Sequence, residues 1–311
     1  MELSWPMRLR IAAAVASGVI LIGFLAWPLA APPDPLGTVS LAAGTIDILA
    51  ALTLAAVAFL VGLLAYFLAW PYGREIAVLA VPSGLAVWAG RGGTMADLIQ
   101  ARAPLSGQQQ EQIIATLRER QDLFAVLRWE PLFWLAILAA GFAGVVVGQR
   151  IYSRTEPNDT KKETDSKSSI YLNGAIALVG SALIAQLCIG ILARDVRYFD
   201  GGLGLVVAQP AVSQVVFAVL VSFGLAAFVV KKFLRAGYVW PTAASGILTF
   251  FAIIAYVRQD VLEYFVARWP AVFFPNVVIS ILPVQMVALG ALGSIAGYWL
   301  AVRYNYWRKY G

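Results

Sequence analysis

The chain has 311 residues, of which 60% are hydrophobic and 13% are charged, and its formal net charge is +6. Soluble domains carry about 25% charged residues, so this composition excludes a water-soluble globular protein and predicts an integral membrane protein. The chain has no His and one Cys, Cys188, which excludes internal disulfides, CxxC chemistry and His-based catalysis. We expect no cofactor and no bound metal. We attribute the basic excess to residues that flank membrane spans rather than to nucleic-acid binding.

The predicted fold is an all-α polytopic membrane protein, a bundle of seven or eight spans with one amphipathic surface helix. A span needs about 20 apolar residues, and seven runs are long enough. They lie at about 11–30, 45–70, 131–149, 170–193, 212–231, 239–257 and 283–302. The first follows basic residues as a signal peptide does, but it is longer than a usual signal sequence, so we expect a retained signal-anchor helix.

Two apolar segments are interrupted by proline and allow several structures. Residues 75–90 contain Pro-Ser-Gly at 82–84, and 261–283 contain three prolines. Such segments can form a kinked span, a re-entrant hairpin or an interfacial piece. We treat 77–93 as a possible eighth span.

The distribution of basic residues predicts the topology. Lys and Arg cluster in the segments 150–169 and 231–235, in the C-terminal tail, and before the first span. The positive-inside rule places these clusters in the cytoplasm, which puts both termini there and requires an even number of crossings. Eight crossings satisfy all four clusters, although they leave four Arg of 94–129 outside. We expect a bacterial inner (plasma) membrane.

Two segments outside the spans divide the chain into membrane halves, 1–149 and 170–311. Residues 150–169 are polar throughout and predict a flexible linker. Residues 106–128 begin with a capping box, Ser106 and Gln109, and predict a surface helix. Its apolar residues, at helical spacing, should face the membrane or a partner: Ile113, Leu117, Phe124 and Leu127.

Five of the ten Trp residues directly precede proline, where chance would give about half of one such pair. Trp favours the bilayer interface, and Pro ends or begins a helix. The Trp-Pro pairs therefore predict membrane-interface anchors, which we assign to Trp27, Trp70, Trp240 and Trp269.

Polar residues inside the spans are the candidates for function, because buried charge is costly in a bilayer. Asp47 is the only acid in the seven predicted spans. We expect it in the first helical turn at the interface, after Thr45 as N-cap; the alternative is a buried functional carboxylate. Gln186 should form an interhelical hydrogen bond, or else bind substrate. No residue is assigned as catalytic.

The charged segment 193–204 and two glycine pairs are further features. Asp200 and its charged neighbours fit a salt-bridged span boundary better than a phosphate or acid–base site. The glycine pairs Gly144/Gly148 and Gly293/Gly297 predict close helix packing, either within the bundle or with another subunit.

These features favour a non-enzymatic membrane subunit, scaffold or anchor with other membrane subunits as partners besides the bilayer. The first alternative is a small-solute transporter or channel that uses the segments 75–90 and 261–283. The second is a lipid-modifying enzyme that uses Asp195, Asp200 or Asp260.

Overall fold

The computed structural model describes residues 4–32, 37–101, 109–153, 167–193, 196–234, 236–269 and 272–310. Within these ranges the chain is mostly helical. The helices are α1 Trp5–Gly18, α2 Ile48–Leu68, α3 Gly73–Ile76, α4 Ala80–Arg91, α5 Met95–Gln100, α6 Gln109–Leu127, α7 Glu130–Ser153, α8 Lys167–Leu192, α9 Val212–Leu234, α10 Val239–Tyr256, α11 Gln259–Arg268 and α12 Pro283–Tyr310. A π-helical segment, Val19–Leu25, extends α1.

In this described part of the chain, seven helices are long and apolar enough to cross a membrane. They are α1 with its π-helical extension, α2, α7, α8, α9, α10 and α12. All seven correspond to spans that the sequence predicts. The boundaries differ, because α7 continues to Ser153 and α8 already begins at Lys167. Both ends of the predicted linker 150–169 are therefore helical, and its centre, 154–166, lies outside the described residues.

Close backbone approach at glycines holds neighbouring helices together, as the sequence predicts. A Cβ on Gly297 of α12 would lie 1.9 Å from the carbonyl oxygen of Gly224 in α9, and one on Gly144 of α7 would lie 2.1 Å from the carbonyl oxygen of Phe59 in α2. Only a residue without a side chain fits there. Gly148 contacts the Tyr66 ring. The packing is within the bundle, so these glycines are not available to another subunit.

Both termini lie at one end of the bundle, which we call the terminal end. Arg10 of α1 donates to the carbonyl oxygen of Trp70 after α2 (3.4 Å), and the Trp70 ring packs on Tyr152 of α7. Tyr238, just before α10, packs on Tyr298 of α12 at a ring distance of 5.5 Å. Arg74 lines the same cavity as these two tyrosines.

The opposite end carries a cap built from segments outside the seven helices: 37–47, 92–101, α6, 196–211, 257–269 and 272–282. Hydrogen bonds join these segments to one another; the amide of Val39, for example, donates to the carbonyl oxygen of Gly92 (3.0 Å). The helical run 73–91, made of α3, a 3₁₀ turn and α4, therefore runs from the terminal end to the cap. It packs against α1, its π-helical extension and α12.

The cap also contains a small β-sheet that the sequence prediction did not include, while the described chain as a whole is consistent with the predicted all-α membrane fold. Its strands, β1 Arg197–Asp200, β2 Gly204–Ala208 and β3 Phe273–Phe274, form an antiparallel sheet in the order β1-β2-β3. The β1–β2 hairpin turns at Gly201-Gly202. Gly204, the first residue of β2, has a φ angle of 76°, a left-handed conformation that favours glycine.

Candidate functional site in the cap

The buried Gln285 fastens the cap to the bundle, and the half-buried Gln209 joins segments within the cap. Gln285, at the start of α12, donates to the carbonyl oxygens of Ala89 (3.0 Å) and Gly93 (3.2 Å). Gln209 accepts from the amide of Ala96 (3.1 Å) and donates to the carbonyl oxygen of Ser280 (3.0 Å). These bonds link segments more than 70 residues apart, so the cap is fixed relative to the helices.

Glu130, at the first turn of α7, is the fully buried carboxylate of this region. It accepts from the Ser40 hydroxyl (2.5 Å), the Leu41 amide (3.1 Å) and the Trp134 indole N–H (2.9 Å). Three donors compensate a buried carboxyl group that would otherwise be costly. Glu130 is not among the residues predicted from the sequence, because the predicted span begins at Pro131 and Asp47 is then the only acid in the spans. The signal was present, since an acid next to Pro at N1 is typical of a helix start.

A row of tryptophans adjoins Glu130. The rings of Trp27, Trp88 and Trp134 pack edge to face in sequence, with centroid distances of 6.1 and 6.2 Å. The Trp88 indole donates to the carbonyl oxygen of Gly23 (3.2 Å), and the Arg91 guanidinium lies 4.7 Å from the Trp27 ring. The row connects α1, α4 and α7, and its contacts give these rings a packing role.

Asp200 organises the β1–β2 hairpin. Its carboxylate accepts from the amides of Gly202 (2.8 Å) and Leu203 (3.0 Å) and from the Tyr264 hydroxyl of α11 (2.8 Å). These hydrogen bonds, the two backbone amides first, hold the pKa of Asp200 below its usual value. The acid thus closes the turn and ties it to α11. The role that a lipid-modifying enzyme would give to Asp200 stays a prediction.

An aromatic cleft lies beside this hairpin. It has a volume of about 530 Å³ and is lined by Val196, Tyr198, Asp200, Arg268, Trp269 and Phe273. The Trp269 ring lies between Tyr198 and Phe273, with both centroids at 5.3 Å. The hydroxyl of Tyr264 accepts from Arg268 (2.8 Å). Next to the cleft, Phe199 projects with 76% of its surface exposed.

The two candidate polar residues of the spans occupy the surface of their helices. Asp47 is exposed and is itself the N-cap of α2, where it accepts from the Ala50 amide (2.6 Å). The helix therefore begins at Ile48, and the predicted N-cap, Thr45, lies in the preceding loop. Gln186 is exposed on α8. The interhelical role predicted for Gln186 stays a prediction.

The four Trp anchors divide between the two ends of the bundle. Trp27 and Trp269 lie at the cap, and both are half-buried. Trp70 and Trp240 lie at the terminal end, where Trp240 packs against Gly174 of α8. Trp27 and Trp70 follow the spanning helices α1 and α2, Trp240 lies in the first turn of α10, and Trp269 follows the cap helix α11. Anchoring itself stays a prediction.

The predicted surface helix corresponds to α6, Gln109–Leu127, and its capping box at 106–109 begins outside the described residues. Phe124 and Leu127 are fully buried, Leu117 is half-buried and Ile113 is exposed. Phe124 packs on Tyr256 of α10 at a ring distance of 4.8 Å, and α6 also contacts α11 and residues 41–43. Phe124 and Leu127 are thus part of the cap core, whereas Ile113, Ile114 and Val126 are the exposed apolar residues of α6.

Comparison with known proteins gives no relative: no family model, no curated protein and no solved structure matches the chain.

Proposed function

We propose that the chain is a non-enzymatic membrane-embedded subunit that anchors a partner membrane protein through its cap. The observation that carries this proposal is the exposed apolar surface of the hairpin, which lies outside the spanning helices. Phe199 and its cross-strand partner Leu205 are exposed on one face of the hairpin, and Val196 and Tyr198, which line the cleft, are exposed on the other. Exposed apolar surface beyond the spans has no lipid tails to cover it and is typical of protein–protein contact sites.

The chemistry and rigidity of the hairpin support this role. Tyr, Trp and Arg are enriched among the residues that contribute most to protein interfaces, and the cleft on the Tyr198 face of the hairpin combines Tyr198, Trp269 and Arg268. Asp200, β3 and α11 hold the hairpin in place through hydrogen bonds. A surface that is already ordered loses less conformational entropy when a partner binds.

The topology proposed for this subunit has eight crossings in a bacterial inner membrane, with both termini in the cytoplasm. The helical run 73–91 supplies the eighth crossing, since it extends from the terminal end to the cap. Its 19 residues span about 28 Å at 1.5 Å per residue, close to the hydrocarbon thickness. The cap then lies on the opposite side of the membrane, and the positive-inside rule supports this orientation.

Site-specific photo-cross-linking in native membranes tests the anchoring role. A photoreactive amino acid is placed at Phe199 and, as the matched control, at Leu187, an exposed residue of the spanning helix α8. We expect Phe199 to give one protein adduct of defined mass and Leu187 to give lipid adducts. The adduct at Phe199 should disappear when Leu205→Ser, at its cross-strand neighbour on the same face, is added. Lipid adducts alone at Phe199 would contradict the proposal.

A small-solute transporter is the second candidate, because the ends of the two Pro-interrupted segments lie close together. Gln285, two residues after 261–283, donates to the carbonyl oxygens of Ala89, within 75–90, and of Gly93, three residues after it. Interrupted helices that meet can form a substrate site. Solute-dependent swelling of proteoliposomes, lost in Q285L, would favour this candidate over the anchor.

A further inference from the structure

A second cavity lies at the terminal end of the bundle, far from the cap. Its volume is about 790 Å³, and it opens between α3, the start of α10 and the last turns of α12. The polar residues that line it are Arg74, Glu75, Tyr238, Tyr298, Arg303 and Tyr306. The proposed anchoring role does not use this cavity.

The side chains of the cavity favour an anion. The wall of the cavity contains two guanidinium groups, those of Arg74 and Arg303, and one carboxylate, that of Glu75. The Lys231 ammonium of α9 lies 4.7 Å from the Tyr298 ring. Arg303 stacks on the Trp307 ring at 4.6 Å. A guanidinium that stacks on an aromatic ring still has its N–H groups, which lie in the guanidinium plane, available to bind a phosphate or a carboxylate.

The depth of the cavity is that of a lipid headgroup. Arg303 follows the first residue of α12, Pro283, by 20 residues, which corresponds to about 30 Å along a helix. This distance equals the hydrocarbon thickness of a bilayer. On the other wall, α3 begins at Gly73, shortly after the pair Trp70-Pro71. The helix α10 begins at Val239, directly before the pair Trp240-Pro241.

We propose that this cavity binds the phosphate group of an anionic lipid, with Arg74 and Arg303 as the phosphate ligands. Basic pockets between helices at headgroup depth are suited to anionic lipid head groups. The Tyr238 and Tyr298 rings, packed edge to face at 78°, form an amphipathic wall beside the basic groups. The same phosphate chemistry is offered by a soluble phosphate ester, so the test includes both sources.

Native mass spectrometry of the detergent-solubilised full chain measures this binding. The protein is titrated with phosphatidylglycerol, with phosphatidylcholine of the same acyl chains, and with glycerol 3-phosphate. We expect phosphatidylglycerol to bind at least about tenfold more tightly than phosphatidylcholine. The double variant R74Q/R303Q should lose this preference. The matched control R8Q/R308Q, which removes two exposed Arg at the same end of the bundle, should retain it.

Three results overturn the proposal. Equal loss of lipid preference in the two double variants would mean that general charge, not this cavity, attracts the lipid. No preference in the unaltered protein would remove the site altogether. Glycerol 3-phosphate that binds as tightly as the lipid would assign the cavity to a soluble ligand. The circular dichroism spectrum of R74Q/R303Q should match that of the unaltered protein, which shows that a loss of lipid preference is not due to unfolding. The variant R74K/R303K retains both positive charges and should keep part of the preference for phosphatidylglycerol.

Discussion

Glu130 illustrates how a single buried side chain can join a loop to a helix. Its carboxyl group lies where residues 40–42 meet α7, and each of its three hydrogen bonds comes from a different donor type: hydroxyl, backbone amide and indole. Glu130 is fully buried, so these donors depend on its carboxyl group for a hydrogen-bond partner. The cap segment 37–47 therefore depends on this residue for its position.

We expect E130A to lower the free energy of unfolding by about 3 kcal/mol or more. Three buried donors lose their acceptor, and each unsatisfied group costs about 1–3 kcal/mol. The control is D47A, which removes an exposed N-cap and should cost about 1 kcal/mol. Unfolding of each variant by sodium dodecyl sulfate in mixed micelles measures both costs. Equal costs for the two variants would show that Glu130 has no special structural role.

The hairpin carboxylate Asp200 makes the cap sensitive to acid. The pKa of Asp200 is lower in the folded protein than its usual value of about 3.9. The ionised carboxylate therefore stabilises the folded hairpin at pH values above about 3.9, and this stabilisation is lost as the pH falls through the folded-state pKa. We expect pepsin to cleave the hairpin increasingly as the pH falls below about 4.

The variants D200N and D260N separate this effect from general acid damage. In D200N the hairpin should already be cleaved faster above about pH 4 and should show little further change on acidification. Asp260 is an exposed acid of the same cap, and D260N should retain the profile of the unaltered protein. If D200N and the unaltered protein share one pH profile, the carboxylate does not control the hairpin.

Among the elements, α9 and α12 form the closest helix pair of the C-terminal half. Gly293 and Gly297 of α12 place the two backbones in contact with Leu220 and Gly224 of α9. The spacing of these glycines predicted the contact, because residues four apart lie on one face of a helix. The hydrophobic effect does not drive helices together in lipid, so close van der Waals packing at small residues stabilises the pair instead.

We expect G297A to destabilise the bundle by about 1–3 kcal/mol, the usual cost of overpacking. The new methyl group would lie 1.9 Å from the Gly224 carbonyl oxygen, whereas G224A places its methyl group 3.5 Å from the nearest atom across the same interface. Both substitutions gain the same helix propensity, so their difference isolates the clash. Thermal unfolding in detergent measures it. A G224A variant as unstable as G297A would contradict this explanation.

The α6 helix shows where an amphipathic pattern is ambiguous. The apolar spacing that predicted a surface helix does place Phe124 and Leu127 on one face, but this face packs on Tyr256 and the rest of the cap. A helical apolar stripe shows that one side is buried without showing what buries it. Of the four predicted contact residues, Ile113 is the one that is exposed and available to the membrane or to a partner.

On the scale of the whole molecule, the number of crossings decides on which side the cap lies. With eight crossings, the run 73–91 separates Tyr72 at the terminal end from Gln100 in the cap. With seven, these two residues lie on the same side of the membrane. Both are exposed, which makes them suitable reporters.

We expect Y72C and Q100C, each in the C188S background, to react with a membrane-impermeant maleimide from opposite sides. Labelling of right-side-out and inverted vesicles gives the side of each residue. A cysteine in place of Thr94, which is half-buried, should follow Q100C at a lower rate and serves as a control for access. Labelling of Y72C and Q100C from the same side would exclude the eighth crossing.

The amino-acid sequence by itself determined the membrane class, the seven long helices and the glycine contacts, because length, hydropathy and local spacing control these features. It also contained the Asp-Gly-Gly of the hairpin turn, a recognised hairpin signal, and the acid before Pro131. Only the tertiary structure showed that Glu130 meets Ser40, that Gln285 meets Ala89, and that Arg74 and Arg303 share a cavity. These pairs are separated by 90 to 229 residues, and their contact depends on how eight helical runs pack, which no local pattern encodes.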